Sequence, residues 1–313
     1  MARAASPKIA VLLPCYNEEA AIGATVAGFK AALPDAAIYV YDNNSRDRTR
    51  EIAAQAGAVV RTEKQQGKGH VVRRMFADID ADVYVMADGD LTYDPAASPA
   101  MVDMLLAEQL DMVVGTRRHE AKDAYRGGHV LGNRIFTGLL SGLFGRSFSD
   151  IFSGYRVFSR RFVKSFPVLS EGFEIETEMS VHALELKMPV GEVETSYGAR
   201  PEGSHSKLST YGDGWKILKT IANLYRVERP VLFYGSIGAL LVIAAIILAI
   251  PLVETYLQTG LVPRFPTAIL VTGMVIVAVL CIFAGLILDT VTRGRREVRR
   301  LAYLSLSAPG NGA

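Results

Sequence analysis

Cysteine and tryptophan are almost absent from this sequence, and neither sign of charge dominates it. The two cysteines, Cys15 and Cys281, stand at opposite ends, and no second cysteine or histidine lies near either. That leaves no basis for a disulfide framework or a thiolate metal site, and it fits a reducing compartment. Formal net charge is +2 over 313 residues. Bulk charge therefore gives no sign of nucleic acid as a partner, and none is expected. Internal repeats and low-complexity tracts are missing. A secretory leader is not expected either, because residues 9–13 form only a short apolar run before Pro14. Such a run reads as a buried strand, so the N-terminal domain is expected to stay on the cytoplasmic side.

What is plentiful is apolar surface. Hydrophobic residues make up 50% of the chain, and the excess over an ordinary soluble enzyme sits after residue 230. The length is ample for one large domain and a smaller appendage.

Through residue 115, short apolar runs alternate with longer helical patterns. Residues 9–13, 37–41, 58–61, 82–86 and 112–115 read as strands. Residues 18–32, 47–56, 69–79 and 95–108 read as helices. This rhythm predicts an α/β domain with a mostly parallel sheet covered on both faces. Such sheets bind ligands beyond the carboxyl ends of their strands. Polar motifs cluster there: Asn17-Glu18 after the first strand, Asp42-Asn43-Asn44-Ser45 after the second, and Asp88-Gly89-Asp90 after the fourth. Residues 116–210 are less regular. A helical stretch is expected over 131–144, a turn at Ser153-Gly154, a helix over 174–186 and a strand over 191–196.

Residues 231–250 and 267–288 carry no charge. Each matches the roughly twenty residues that cross a bilayer core. Pro251, Pro263 and Pro266 lie between or beside them, so a two-helix transmembrane hairpin is expected. Lys216, Lys219, Arg226 and Arg229 precede the first run, and Arg293, Arg295, Arg296, Arg299 and Arg300 follow the second. The connecting loop holds only Arg264. This bias places both termini in the cytoplasm. Residues 215–225 mix lysines with apolar residues, which suits either an interfacial helix or a surface helix of the soluble domain. The expected organisation is a domain over 1–210, a juxtamembrane segment over 211–230, the hairpin over 231–290 and a basic cytoplasmic tail over 291–313.

The strongest chemical signal is Asp88-Gly89-Asp90. Two carboxylates two residues apart at a strand's exit can point the same way and would repel. A divalent cation relieves that repulsion, and hard oxygen ligands suit Mg²⁺ or Mn²⁺ bound together with a diphosphate. A second signal is basic. Arg117, Arg134, Arg156, Arg200 and Lys207 fall in the irregular region beside Gly, Ser or Asn. Such groups offset the charge of a diphosphate donor brought against a phosphate acceptor. Within it, residues 200–207 set Gly203, Ser204 and Ser206 between two cations, which suits an anion-binding loop. Gln66-Gly67-Lys68-Gly69 begins a helix and reads either as a weak anion site or as a simple turn.

Residues 10–19, reading Ala-Val-Leu-Leu-Pro-Cys-Tyr-Asn-Glu-Glu, resemble the opening motif of inverting family 2 glycosyltransferases. Residues 42–49, Lys68-Gly69 and residues 87–90 resemble the motifs that follow in that family. Asn133-Arg134, the run Asp150-Ile-Phe-Ser-Gly-Tyr-Arg156 and residues 203–208 are similar to the narrower branch of dolichyl-phosphate mannose synthases and bacterial polyprenyl-phosphate sugar transferases. The resemblance covers residues 8–210. It implies a GT-A, Rossmann-like nucleotide-sugar domain in the plasma membrane, with a nucleotide-sugar donor, a UDP-sugar favoured, and a polyprenyl phosphate acceptor. Pro14, Tyr16 and Glu18 would sit around the nucleotide, with Asp42 at the base or ribose and Lys68 nearby. Asp88 and Asp90 would bind the metal and diphosphate, while Arg117, Arg134, Arg200 and Lys207 would handle the phosphates. The resemblance also favours at least one of Glu174, Glu176 and Glu178 facing the site, without saying which, where the residues alone read as a solvated surface. Assembly of family members through their membrane helices makes a homo-oligomer compatible with it.

Three departures stand out. Asn43 replaces the second of two adjacent Asp residues, Thr92 stands where a Gln often follows the metal pair, and the loop before Lys207 is one residue longer. They bear on the donor's base and sugar rather than on the reaction class. Two rivals are weighed. A processive polysaccharide synthase would carry a Gln-x-x-Arg-Trp motif, but the only tryptophan is Trp215, outside any such motif. A catalytically silent membrane scaffold is disfavoured by the intact Asp88/Asp90 pair and the basic set.

Overall fold

The computed structural model describes residues 6–119, 138, 148–172, 174–199, 201, 223 and 225–309. Two compact units emerge. One comprises Met1–Gly214 with Val298–Ala313, and the other comprises Trp215–Glu297.

The first unit is built on a seven-stranded sheet of order β3-β2-β1-β4-β6-β5-β7. Its strands are β1 (Ile9–Cys15), β2 (Ala37–Asp42), β3 (Val59–Thr62), β4 (Val83–Met86), β5 (Met112–His119), β6 (Arg156–Ser159) and β7 (Val190–Tyr197). Helices α1 (Ile22–Ala32), α2 (Thr49–Gln55), α3 (Lys68–Asp78), α4 (Ser98–Ala107), α5 (Arg160–Ser165) and α6 (Ile175–Leu186) connect or flank them. The expected α/β class and mostly parallel sheet are borne out. β1 runs parallel to β2 and β4, β2 to β3, and β5 to β7.

The sequence reading missed β6 and α5. β6 lies antiparallel between β4 and β5, so those two strands do not pair with each other. It has only four residues, too short to show a period, and both its partners are supplied by distant sequence. Its insertion matters because an antiparallel strand brings its amino end to the edge where its neighbours end.

Alternation across the strands explains the two covered faces. Val83 and Val85 join Val11, Leu13 and Val157 in a core closed by Ile22, Val26 and Phe29 of α1 and Met101 and Leu105 of α4. Tyr84 faces the other way and pairs across the ladder with Phe158. There Phe76 of α3, Phe158 and Phe162 of α5 form an aromatic stack, with ring centroids 5.9 and 4.6 Å apart.

The second unit contains α7 (Pro230–Thr259) and most of α8 (Phe265–Leu304). Both are long and apolar enough to cross a membrane. Gly238 lies against the carbonyl of Ala278, and Gly285 lies against that of Pro230, so small residues let the two backbones approach. Arg296 donates to Glu228 at 2.6 Å. The expected tail begins inside α8, which runs on through Leu304. Within the first unit, that helix end is tied by Arg299 to Glu185 at 2.6 Å and by the Tyr303 hydroxyl to buried Asp111 at 2.8 Å.

Candidate active site

The chain runs outward from β1 to β2 and β3, then returns to β4 on the other side of β1. That reversal makes the β1/β4 edge a topological switch point. The β1–β4 ladder ends at the pair Leu12 and Met86. Pro14, which has no N–H to give, falls beyond it, where the two strands can part. Asn17-Glu18, Asp42 and Asp88-Gly89-Asp90 all leave strands at this edge.

The two loops beyond β1 and β2 are stapled together. Asn17 N–H donates to Ser45 Oγ at 2.8 Å, Glu18 N–H to Thr49 Oγ1 at 2.9 Å, and Arg46 N–H to Asn17 Oδ1 at 2.8 Å. Glu18 is buried and Tyr16 half-buried there. Asp42 is fully buried. Its Oδ2 accepts the N–H of Ser45 at 3.1 Å, while its Oδ1 has no hydrogen-bond partner among the described residues.

Asn43 is committed differently. Its Nδ2 donates to the carbonyls of Glu63 and Gln65, at 3.0 and 2.7 Å, and its Oδ1 accepts the N–H of Gly67 at 2.7 Å. A carboxylate at this position would face two carbonyl oxygens with no proton to offer. Asn43→Asp is therefore expected to lower stability by about 2 kcal/mol, read as a shifted urea midpoint. An unchanged midpoint would remove Asn43 from this role.

Asp88 is the exposed end of a buried ion triad. Lys68 Nζ donates to Asp88 Oδ1 and to Glu176 Oε1, each at 2.5 Å. The Lys68 and Glu176 side chains are 8% and 6% exposed, whereas that of Asp88 is 32% exposed. Burial alone would lower the Lys68 pKa, but the adjoining Asp88 and Glu176 carboxylates reverse that and hold it above the usual lysine range. Of the three glutamates on this helix, Glu176 is thus the one drawn to Asp88, a fact helical spacing alone did not reveal. Glu178 instead accepts the N–H groups of Leu169 and Ser170.

The start of α3 is not an open anion cradle. Gly67 N–H is taken by Asn43, and Gly69 N–H donates to the carbonyl of Glu171 at 3.0 Å. The 170–171 backbone crosses so close to Gly69 that a Cβ would clash with it. Two of the amides at this helix start are therefore already bonded within the protein.

Gly89 is required for space, because a Cβ there would run into Cys15 Sγ. Asp90 is buried, and its Oδ1 accepts from Thr92 N–H at 3.2 Å and Thr92 Oγ1 at 2.6 Å. Thr92, the residue where a Gln often stands, therefore orients Asp90. Leu91 between them holds φ at 59°, a left-handed conformation costly for its side chain and typical of constrained functional loops.

The run from Asp150 to Arg156 is a scaffold for the site. Asp150 takes the Arg117 guanidinium as a fork, Nε to Oδ2 at 2.7 Å and Nη2 to Oδ1 at 2.8 Å. Burial opposes the charge on Asp150, but the Arg117 bonds outweigh it and hold its carboxyl below the usual range. Ser153 Oγ donates to the carbonyl of Gly115, and Gly154 N–H donates to Tyr93 Oη at 2.8 Å. Gly154 is thereby set against Asp88, where a Cβ would stand 2.9 Å from Asp88 Oδ2. Arg156, grouped from sequence with the basic residues of this region, is fully buried rather than a solvated surface charge. Its guanidinium donates to the carbonyls of Ser153 and Ile151 and to Ser180 Oγ, so it braces this loop. Arg134, Arg200 and Lys207 lie outside the described residues, as does all but residue 138 of the helical stretch over 131–144.

Among the described residues, no cluster of three or more acidic, histidine or cysteine side chains is gathered for a metal. Two carboxylates nevertheless fit a hard divalent cation whose remaining ligands are substrate phosphates and water. Gly154 leaves room beside the second oxygen of Asp88 for such a ligand.

Comparison with known proteins bears on the family and the fold. The model for "Glycosyl transferase family 2" matches residues 10–166. The glycosyltransferase AglJ of Haloferax volcanii is 34% identical over 232 residues, covering 74% of this chain and 76% of that protein. A dolichyl-phosphate hexose transferase of the same organism is 29% identical over 221 residues, covering 71% of this chain and 95% of that protein. Among solved structures, glucosyl-3-phosphoglycerate synthase from Mycobacterium tuberculosis, in complex with Mn²⁺, UDP-glucose and phosphoglyceric acid, shares the fold. Its TM-score is 0.57 at 24% identity, covering 71% of this chain and 79% of that one.

Proposed function

The chain belongs to glycosyl transferase family 2, and from that premise we propose that it moves a sugar from a nucleoside-diphosphate donor to a polyprenyl phosphate. The reading favours a UDP-sugar, inversion at the anomeric carbon and a catalytic domain on the cytoplasmic side of the plasma membrane. The observation that carries it is that buried Asp42 and the Asp88/Asp90 pair leave β2 and β4, which flank β1 and run parallel to it, at the same edge of the sheet. Asp42 Oδ1 is a buried acceptor that a base N–H or ribose hydroxyl would satisfy. The acceptor class is supported by the name of the dolichyl-phosphate hexose transferase and by two helices of membrane-crossing length.

In the proposed reaction a phosphate oxygen of the lipid attacks the anomeric carbon. The bond from that carbon to the donor diphosphate breaks, and the nucleoside diphosphate leaves. A phosphate monoester is already ionised near neutral pH, so no side-chain base is needed to remove a proton. Asp88 and Asp90 would hold Mg²⁺ or Mn²⁺, which when bound offsets charge developing on the leaving diphosphate. Lys68 keeps Asp88 oriented, and Thr92 does the same for Asp90. Arg117, Arg134, Arg200 and Lys207 are assigned to the phosphates, although in the structure Arg117 is forked onto Asp150. Rate would come from positioning and electrostatic stabilisation.

The deciding experiment offers radiolabelled nucleotide sugars and undecaprenyl phosphate to the purified protein, with and without Mn²⁺ or Mg²⁺. A metal-dependent, organic-extractable labelled lipid is expected and would name the donor. No lipid product with any donor or prenyl phosphate would overturn the acceptor assignment.

A further inference from the structure

We propose that Glu176 is a positioning residue that keeps Asp88 competent as a cation ligand by sharing Lys68 with it. The inference rests on the reading of Asp88 and Asp90 as the cation pair and goes beyond it to a residue deeper in the protein.

Lys68 is one ammonium between two carboxylates, at 2.5 Å from each. Facing Asp88 alone, it would neutralise that carboxylate and make it a poor ligand. Glu176 draws part of the ammonium's charge away. Because Lys68 and Glu176 cancel formally, Asp88 and Asp90 retain two negative charges, the complement of a divalent cation.

The geometry shows why Glu176 can hold this place. It lies in the first turn of α6, and its backbone carbonyl accepts from Ser180 Oγ, which in turn accepts from Arg156. Glu178, two residues on, ties α6 to the 169–170 segment. That segment's continuation receives Gly69 N–H at the start of α3, next to Lys68. Both ends of the Lys68–Glu176 pair are therefore anchored to the same crossing backbone. Asp88 is the one member of the triad left open to solvent.

The test is Mn²⁺ binding by the full chain in detergent with UDP present, with free Mn²⁺ read by electron paramagnetic resonance. Glu176→Gln is expected to weaken Mn²⁺ binding about tenfold or more, because Glu176 then no longer draws the Lys68 charge away from Asp88. The double variant Lys68→Met, Glu176→Gln removes one charge of each sign, and its Mn²⁺ affinity is expected to return towards that of the wild type. A residue that merely supported packing would show no such recovery. Wild-type affinity in a folded Glu176→Gln, or a double variant as weak as the single one, overturns the proposal. If Glu176→Gln does not fold, the double variant decides alone: near-wild-type affinity supports the proposal and a tenfold loss overturns it. If the wild-type protein binds no Mn²⁺ with UDP, the cation reading itself fails, and this inference with it.

Discussion

Asp90→Ala is expected to lower sugar transfer at least about a hundredfold, equivalent to about 2.7 kcal/mol of transition-state stabilisation. The substitution removes one of two carboxylates assigned to the cation that offsets the leaving diphosphate. It also strands the N–H and hydroxyl of Thr92, both of which point at Asp90 Oδ1 in a buried pocket. The two effects are separable. Asp90→Asn keeps an acceptor oxygen for Thr92 but loses the charge. If charge is what matters, Asn and Ala lose transfer alike while Asn retains the wild-type melting temperature. An Asp90→Ala protein that transfers sugar at the normal rate, with metal still required, would show that the cation is held elsewhere.

Arg156→Ala is expected to be the most destabilising single change at the site, by about 3–5 kcal/mol. Burial lowers the Arg156 pKa to about 10, despite help from Glu176 and Asp150, which still leaves the guanidinium charged at neutral pH. Truncation would open a cavity and leave the carbonyls of Ser153 and Ile151 without donors. The fall in apparent melting temperature should be about 10 °C for a unit of this size. Arg156→Met fills the volume but not the hydrogen bonds, and should recover part of the loss. Near-UV circular dichroism during heating reads both variants. An Arg156→Ala protein that melts with the wild type would return Arg156 to the pool of candidate phosphate ligands.

The contrast between these residues shows what could be read from the chain. Asp88 and Asp90 announce themselves because acidic residues at a strand's exit carry a local electrostatic problem that short spacing makes visible. Arg156 does not announce its role. In sequence it is a cation in a glycine- and serine-rich stretch, much like any phosphate ligand, and only the antiparallel insertion of β6 shows that it is enclosed. Glu176 is similar. Three glutamates at alternating positions look alike until α6 packs and buries one of them against Lys68. Asn43 shows a role that the sequence pattern did not display. Its departure from the paired-Asp pattern bore on donor choice, yet both ends of its amide are spent on the β3–α3 loop.

By itself, the sequence determined the α/β class, the rhythm of β1 to β5, the polar edge of the sheet and the two long apolar helices. Each of these is set by hydrophobic periodicity and chain stops, which act over a few residues. Tertiary structure alone decided the place of β6, the burial of Arg156, the triad of Asp88, Lys68 and Glu176, and the closeness of Gly154 to Asp88. Those depend on contacts between segments some twenty to more than a hundred residues apart. Their energy comes from desolvation and from hydrogen bonds that exist only once distant strands are paired, so no local pattern encodes them.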